Sequence, residues 1–353
     1  MRIKVAILDK DQSYLSRIVS VFGTRYAEKL QIYSFTEKEL AIGTLDSARV
    51  DVFLVSDAFE IAPADVPKRC ALVYFVDSAD IDSLNDYPAI CKFQKAEQIY
   101  KQLLSIYSEN VGNKSGLKGA AGNTKVFVFS SPCGGTGTSS MAAGCAVHFA
   151  RKGKRTLYLN LEKYGSSDVF FSAEGQFDMS DIIYALKSKK ANLPLKLESC
   201  LKQDHSGVYF YSQPKVALDM LELKADDILR LINELNILGI FDYIIIDADF
   251  SLDKDSLRIY KNSSSFVMVS NGSKEANSKI IRAYVALGIM EQNDDDQLLR
   301  RACVAYNKFS NKTGETLTNL DVRILGGAPR YDHATTAQVL EQLANMNLFD
   351  SLD

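Results

Sequence analysis

The chain lacks the residue sets that usually mark a metal or redox site. Its three histidines are dispersed, and its six cysteines (Cys70, Cys91, Cys133, Cys145, Cys200 and Cys303) include no CxxC pair. That argues against a zinc cluster and a disulfide framework. No uninterrupted apolar run approaches the ~20 residues of a membrane span, and the opening MRIKVAILDKD reads as a buried strand rather than a signal peptide. A cytoplasmic protein without direct membrane insertion is expected. Neither sign of charge dominates: 41 basic and 44 acidic residues leave a net charge of −3, which offers no bulk attraction for nucleic acid or anionic lipid. The tail HATTAQVLEQLANMNLFDSLD carries no Lys or Arg, so a basic lipid-binding helix is not expected there.

Two strongly patterned regions are present. They flank VGNKSGLKGAAGNT, a stretch of glycine and small polar residues with no apolar periodicity. The expected organisation is a small domain over 1–110, a linker over 111–124 and a larger domain over 125–353. In the first, IKVAIL, VDVFLV and ALVYFV alternate with amphipathic helical patterns, which predicts a parallel α/β domain. In the second, the strands expected are KVFVFS, RTLYLN, YIIIDA, SFVMVS, RACVAYN and VRILGG. Their near-continuous hydrophobicity predicts a doubly wound sheet covered on both faces. The acidic trio Asp294–Asp296 reads as a solvated loop tip.

The segment SPCGGTGTSS, residues 131–140, follows one of these strands and precedes the small-residue run MAAGCAVHFA. Strand, glycine turn and helix in that order place backbone N–H groups and a helix N-terminus around an anion, as nucleotide phosphates require. Gly134, Gly135 and Gly137 supply the turn, with Thr136, Thr138 and Ser140 among them, and Ser139 falls where a Mg²⁺-bound hydroxyl would sit. A plain βα turn without a ligand is the alternative. Asp247 ends the strand of FDYIIIDADF, where P-loop enzymes carry the acid that holds Mg²⁺ through water. Asn160 and Glu162 end another strand, and period-two alternation aims both at one side.

Together these residues resemble the deviant Walker A ATPases of the ParA/MinD superfamily, whose loop reads KGGxGKT and whose second strand ends in D-x-D. The resemblance implies a P-loop NTPase fold, ATP and Mg²⁺ as ligands, and a homodimer. It assigns Ser139, Asp247 and Glu162 to the metal, and Glu162 with Asn160 to the acidic pair that orients water. Asn307 takes the adenine-reading position, and Pro329 that of the base-binding loop. Cys133 and Thr138 stand where the family has its two lysines, so turnover is expected to be weak, with Lys163 and Arg330 considered as replacement cations.

The opening VAILDKDQSYLSRI is similar to response-regulator receiver domains, with Asp9 and Lys10 at the acidic pair, Asp11 following, and Lys92 at the position of the lysine that ends the receiver's last strand. Ser56 occupies the phosphoacceptor position, with Asp57 one step beyond, so a domain kept for its docking surfaces is expected rather than phosphorylation. A degenerate receiver joined to such an ATPase resembles the TadZ/CpaE proteins of tight-adherence pilus loci. This implies an ATP-binding localisation scaffold at the cell pole, with pilus assembly or secretion proteins as partners. An active positioning ATPase and a nucleotide-free signalling adaptor are the alternatives.

Overall fold

The computed structural model of the protein describes residues 2–110, 124–188, 192–292 and 297–353. The expected linker, apart from Thr124, and the acidic trio lie outside the described residues. The chain forms two compact units: Met1–Leu117 with Ser188–Ser199, and Lys118–Lys187 with Cys200–Asp353. Ser188–Ser199 thus belongs with the first unit, although the sequence reading assigns it to the second domain.

The first unit is built on β1 (Ile3–Leu8), β2 (Leu30–Phe35), β3 (Val52–Ser56), β4 (Ala71–Val76), β5 (Ser83–Leu84) and β6 (Tyr87–Cys91), in the order β2-β1-β3-β4-β6-β5. All pairs are parallel except β5 with β6. That hairpin turns through Asn85 and Asp86, both at positive φ, and short polar side chains tolerate this conformation best among residues with a Cβ. Val5, Ile7, Leu54 and Phe75 pack on one side beneath the helices Gln12–Arg25 and Ala96–Asn110. Ala6, Leu8, Phe53 and Tyr74 pack on the other, with Ala41 and Leu45 of the helix Lys38–Ser47. Both faces are therefore dry, as the unbroken apolar strands require. The short helix Leu193–Cys200 adds Leu195 to the first of these clusters. Buried Lys196 bonds Ser105 Oγ at 2.8 Å and Glu109 Oε1 at 3.3 Å.

The second unit carries β7 (Lys125–Ser130), β8 (Thr156–Asn160), β9 (Lys202–Gln203), β10 (Tyr209–Phe210), β11 (Tyr243–Asp247), β12 (Ser265–Ser270), β13 (Ala302–Phe309) and β14 (Arg323–Pro329). Their order is β14-β13-β12-β7-β11-β8-β10-β9, parallel apart from the β9–β10 edge pair. The six expected strands are all present. The two-residue β9 and β10 are too short to show a period in sequence. The chain leaves central β7 toward β8 on one side and later fills β12 on the other, so the loop after β7 opens at a switch point, where α/β sheets place ligands.

The helix that follows, Thr138–Arg151, is buried over Met141–Phe149. A helix enclosed around its circumference needs small residues where a neighbour comes close. At Gly144, an added Cβ would lie 2.6 Å from Leu343 Cβ of the C-terminal helix Thr336–Ala344. Polar contacts fasten the same tail. His148, 4% exposed, lies 2.8 Å from the Ala344 carbonyl through Nδ1 and 2.7 Å from Asp350 Oδ1 through Nε2. Lys152 also pairs with Asp350, and Arg151 with Glu341.

Gly144→Ala should destabilise the protein by about 1–3 kcal/mol in urea unfolding, although alanine is by itself the better helix former. An unchanged midpoint would mean that the tail does not press on this helix.

Candidate functional site

The loop after β7 is pinned before any ligand arrives. Ser130 Oγ donates to the Ala248 carbonyl at 2.9 Å, and Ser131 Oγ to Val269 at 2.7 Å. Both strands flanking β7 are thereby tied to it. Gly135 and Gly137 take φ of 78° and 79°, a region open to glycine at little cost. Gly137 is required twice over, because it caps the helix Thr138–Arg151 in that left-handed conformation and a Cβ there would sit 2.3 Å from Asn307 Nδ2. The first-turn N–H groups of the helix are left for an anion or water. Thr136 is buried and its hydroxyl lies 3.1 Å from that of Thr138. Cys133, at the position of the missing first lysine, is buried, with its Sγ 3.7 Å from the Gly134 carbonyl and 4.0 Å from Lys279 Nζ.

Below the loop the expected acids come together. Parallel pairing places Asp247 beside Asn160. Asp247 is fully buried; its Oδ2 accepts from Tyr158 Oη at 2.8 Å and Asn160 Nδ2 at 3.2 Å. Its Oδ1 is buried with no hydrogen-bond partner among the described residues. Asn160 Nδ2 also reaches Glu162 Oε2 at 3.1 Å, and Ser139 Oγ donates to the same oxygen at 3.4 Å. Ser139, Asn160, Glu162 and Asp247 thus form one polar cluster beneath the glycine turn. Burial, and then the neighbouring Glu162 charge, raise the Asp247 carboxyl to about 8, against the hydroxyls of Tyr158 and Ser139, which act in the opposite direction.

An unpartnered oxygen on a buried acid is costly, and it fits a divalent cation. Oxygen donors suit Mg²⁺, which binds few protein ligands and takes the rest from water and phosphate. No group of three His, Cys, Asp or Glu side chains suited to a metal occurs among the described residues. A cation here would therefore rest on Ser139, Asp247 and Glu162 and complete its shell outside the protein.

Above the loop lies a cleft of about 560 Å³, lined among others by Gly135, Ser140, Asn307, Lys308, Pro329 and Arg330. Pro329 and Arg330 are exposed, and Arg330 Nε pairs with Asp332 at 2.8 Å. Asn307, assigned to adenine by resemblance, is buried here and donates to the carbonyls of Thr136 at 3.0 Å and Gly137 at 3.2 Å. Its observed contacts fasten the glycine loop. Lys163, considered as a replacement cation, instead lines a separate cleft of about 360 Å³ with Asp249, Phe250 and Tyr260.

Two residues escaped the sequence reading. Tyr158, two positions before Asn160 and hence on the same face, brings the phenol that holds Asp247; its place inside an apolar strand disguised it. Lys308 was missed because simple alternation turns it away from Asn307.

In the first unit the receiver-like positions are already engaged. Asp11 caps its helix by accepting from the N–H groups of Ser13 and Tyr14. Lys92 Nζ lies 3.0 Å from Asp77 and 3.8 Å from buried Asp9. Ser56 is buried at the end of β3 and its hydroxyl is 3.4 Å from Asp57.

Residues 1–108 match the family model of the TadZ-like receiver domain. Over 215 residues the chain is 26% identical to the flagellum site-determining protein YlxH of Helicobacter pylori, spanning 59% of this chain and 68% of that protein. Its fold is similar to that of a ParA family ATPase from Chlorobium tepidum (TM-score 0.51, 18% identity). It is equally similar to that of the MinC:MinD cell division protein complex of Aquifex aeolicus (TM-score 0.51, 16% identity). Each likeness covers 65% of this chain and 96% of the other. The chain therefore joins a TadZ-like receiver domain to a ParA/MinD-like P-loop NTPase fold.

The raised Asp247 carboxyl sets the sign of a pH effect. An acid whose folded pKa lies above its unfolded value of ~4 favours the folded state at low pH, and that contribution fades as pH rises toward the folded value. In EDTA, urea-unfolding stability should accordingly decline between pH 4 and pH 8. Asp247→Asn should flatten the decline; an identical slope in the variant would contradict the assignment.

Proposed function

We propose that this chain is a localisation protein whose second unit binds Mg–ATP mainly as a structural ligand, and that the bound nucleotide favours pairing with a second copy. The observation that carries this reading is the buried, unpartnered Asp247 oxygen beneath a glycine loop that has no lysine. Backbone N–H groups of the loop and the first helical turn bind the phosphates. Ser139, Asp247 and Glu162 hold the metal, Asn307 keeps the loop in its open curve, and Pro329 and Arg330 border the nucleoside end. When bound, Mg²⁺ supplies positive charge to the outer phosphates.

Ground-state binding tolerates the missing lysines better than catalysis does. A charged hydrogen bond contributes about 1.5–3 kcal/mol net to binding, leaving the amides and the cation in place. A cation lost from the transition state, at about 3–5 kcal/mol, slows hydrolysis roughly 10²–10⁴-fold. Glu162 keeps the position from which to orient water, but no ammonium on the loop itself meets the developing charge. Turnover is therefore slow and the bound state long-lived.

The TadZ-like receiver domain and the site-determining relative support a positioning role, and pilus assembly is the setting the family resemblance supplies. The receiver-like unit serves as a docking module, since the residues that would carry phosphoryl chemistry are replaced or already paired.

Sedimentation velocity of the full chain should show concentration-dependent dimerisation strengthened by Mg–ATP and lost in Asp247→Asn. Profiles indifferent to nucleotide would overturn the reading in favour of an adaptor without ATP. Steady-state hydrolysis at rates ordinary for an ATPase of this fold would overturn the slow-turnover part.

A further inference from the structure

A phosphate loop without lysine leaves open where a cation for the nucleotide's outer phosphates comes from. β13 is irregular at its carboxyl end: its register against β14 shifts between Tyr306 and Phe309. Within that irregularity Lys308 takes φ of 55°, a left-handed conformation uncommon for a residue with a Cβ. Irregularities of this kind re-aim side chains that strict alternation would send to the opposite face. Here Asn307 and Lys308, adjacent in sequence, both reach the phosphate loop. Asn307 grips Thr136 and Gly137, and its Oδ1 accepts the Lys308 backbone N–H at 3.0 Å. The amide therefore fixes both the loop and the turn that redirects its neighbour.

The side chain of Lys308 crosses the mouth of the loop. Its Cε would lie 3.3 Å from a Cβ built on Gly137, and its Nζ donates to the Gly135 carbonyl at 3.0 Å. The ammonium is in the exposed wall of the 560 Å³ cleft. It has three donors, and Gly135 takes one. The other cations near the loop are less free. Arg330 pairs with Asp332 at 2.8 Å, and Lys279 pairs with Glu275 at 2.9 Å while standing over Cys133.

We propose that Lys308 is the phosphate-binding cation of this site, supplied from β13 in place of the loop lysines, and that its ligand is the polyphosphate of a nucleoside triphosphate. The inference rests on the nucleotide-binding reading above and adds the residue that selects for phosphate charge. The lysine's flexible stem already holds Nζ beside the turn, 3.0 Å from the Gly135 carbonyl.

The test is calorimetric titration of the full chain with Mg–ATP and, separately, with adenosine. Lys308→Met keeps the aliphatic stem and the same backbone strain while removing the charge. It should weaken Mg–ATP binding on the order of ten- to hundred-fold and leave adenosine binding unchanged, and Lys308→Arg should retain most of the ATP affinity. Lys312→Met, an exposed charge-matched control, should bind ATP as wild type does. Equal ATP affinity in wild type and folded Lys308→Met overturns the assignment of Lys308 while leaving the nucleotide reading intact. No ATP binding by wild type overturns both. Should Lys308→Met fail to fold in circular dichroism, Lys308→Gln decides by the same criterion, and an ATP affinity of Lys308→Arg lower than that of the neutral variant also counts against the proposal.

Discussion

A carboxylate held in the dry interior with one oxygen unpartnered is the constraint around which the second unit is organised. Asp247 ends a fully buried strand, and burial together with Glu162 opposes its ionisation. Two neighbours mitigate the cost without removing it: the phenol of Tyr158 and the amide of Asn160. Asparagine at position 160 is significant in this light. An aspartate there would add another acid beside Glu162 and Asp247 in a site whose loop carries no ammonium, whereas the amide donates to both alike. The amide at position 160 offsets part of the positive charge that the loop lacks and leaves two carboxyl groups, Glu162 and Asp247, in the cluster.

The same economy of charge governs the first unit. Of the acids at the receiver-like positions, Asp11 caps a helix, and buried Asp9 accepts the Asp11 N–H through Oδ1 and lies 3.8 Å from Lys92. What remains is a well-packed parallel sheet with both faces covered. Residues 192–199, which lie beyond the helix Met179–Ser188 in sequence, group with this first unit. Leu195 enters its core and Lys196 is buried against Ser105 and Glu109. Nothing in the composition of LPLKLESC announces this, because a short helix with buried leucines looks alike wherever it docks.

The fold was legible because its strands are long apolar runs, and parallel sheets buried on both faces permit little else. The glycine loop was legible because a strand, clustered glycines and a helix in that order form a recognisable pattern. The acids followed from strand-end placement and alternation. The decisive side chains that were missed are those where a local rule is broken or hidden. Tyr158 obeys the strand pattern as an aromatic and shows its polar end only through tertiary contact. Lys308 violates alternation by a backbone irregularity that no residue type in VAYNKFS declares. The contacts of Asn307 to the loop depend on how close β13 approaches Gly137, a distance invisible in sequence.

The central claim is that backbone N–H groups, a divalent ion and a cation from outside the loop hold a triphosphate where both loop lysines are missing. A crystal structure of the chain grown with a non-hydrolysable ATP analogue and Mg²⁺ tests it most directly. The account expects phosphate density seated on Gly134–Ser139, with a metal joined to Ser139 and, directly or through water, to the free oxygen of Asp247. A loop filled only by solvent at saturating analogue, with Asp247 still unpartnered, would contradict it.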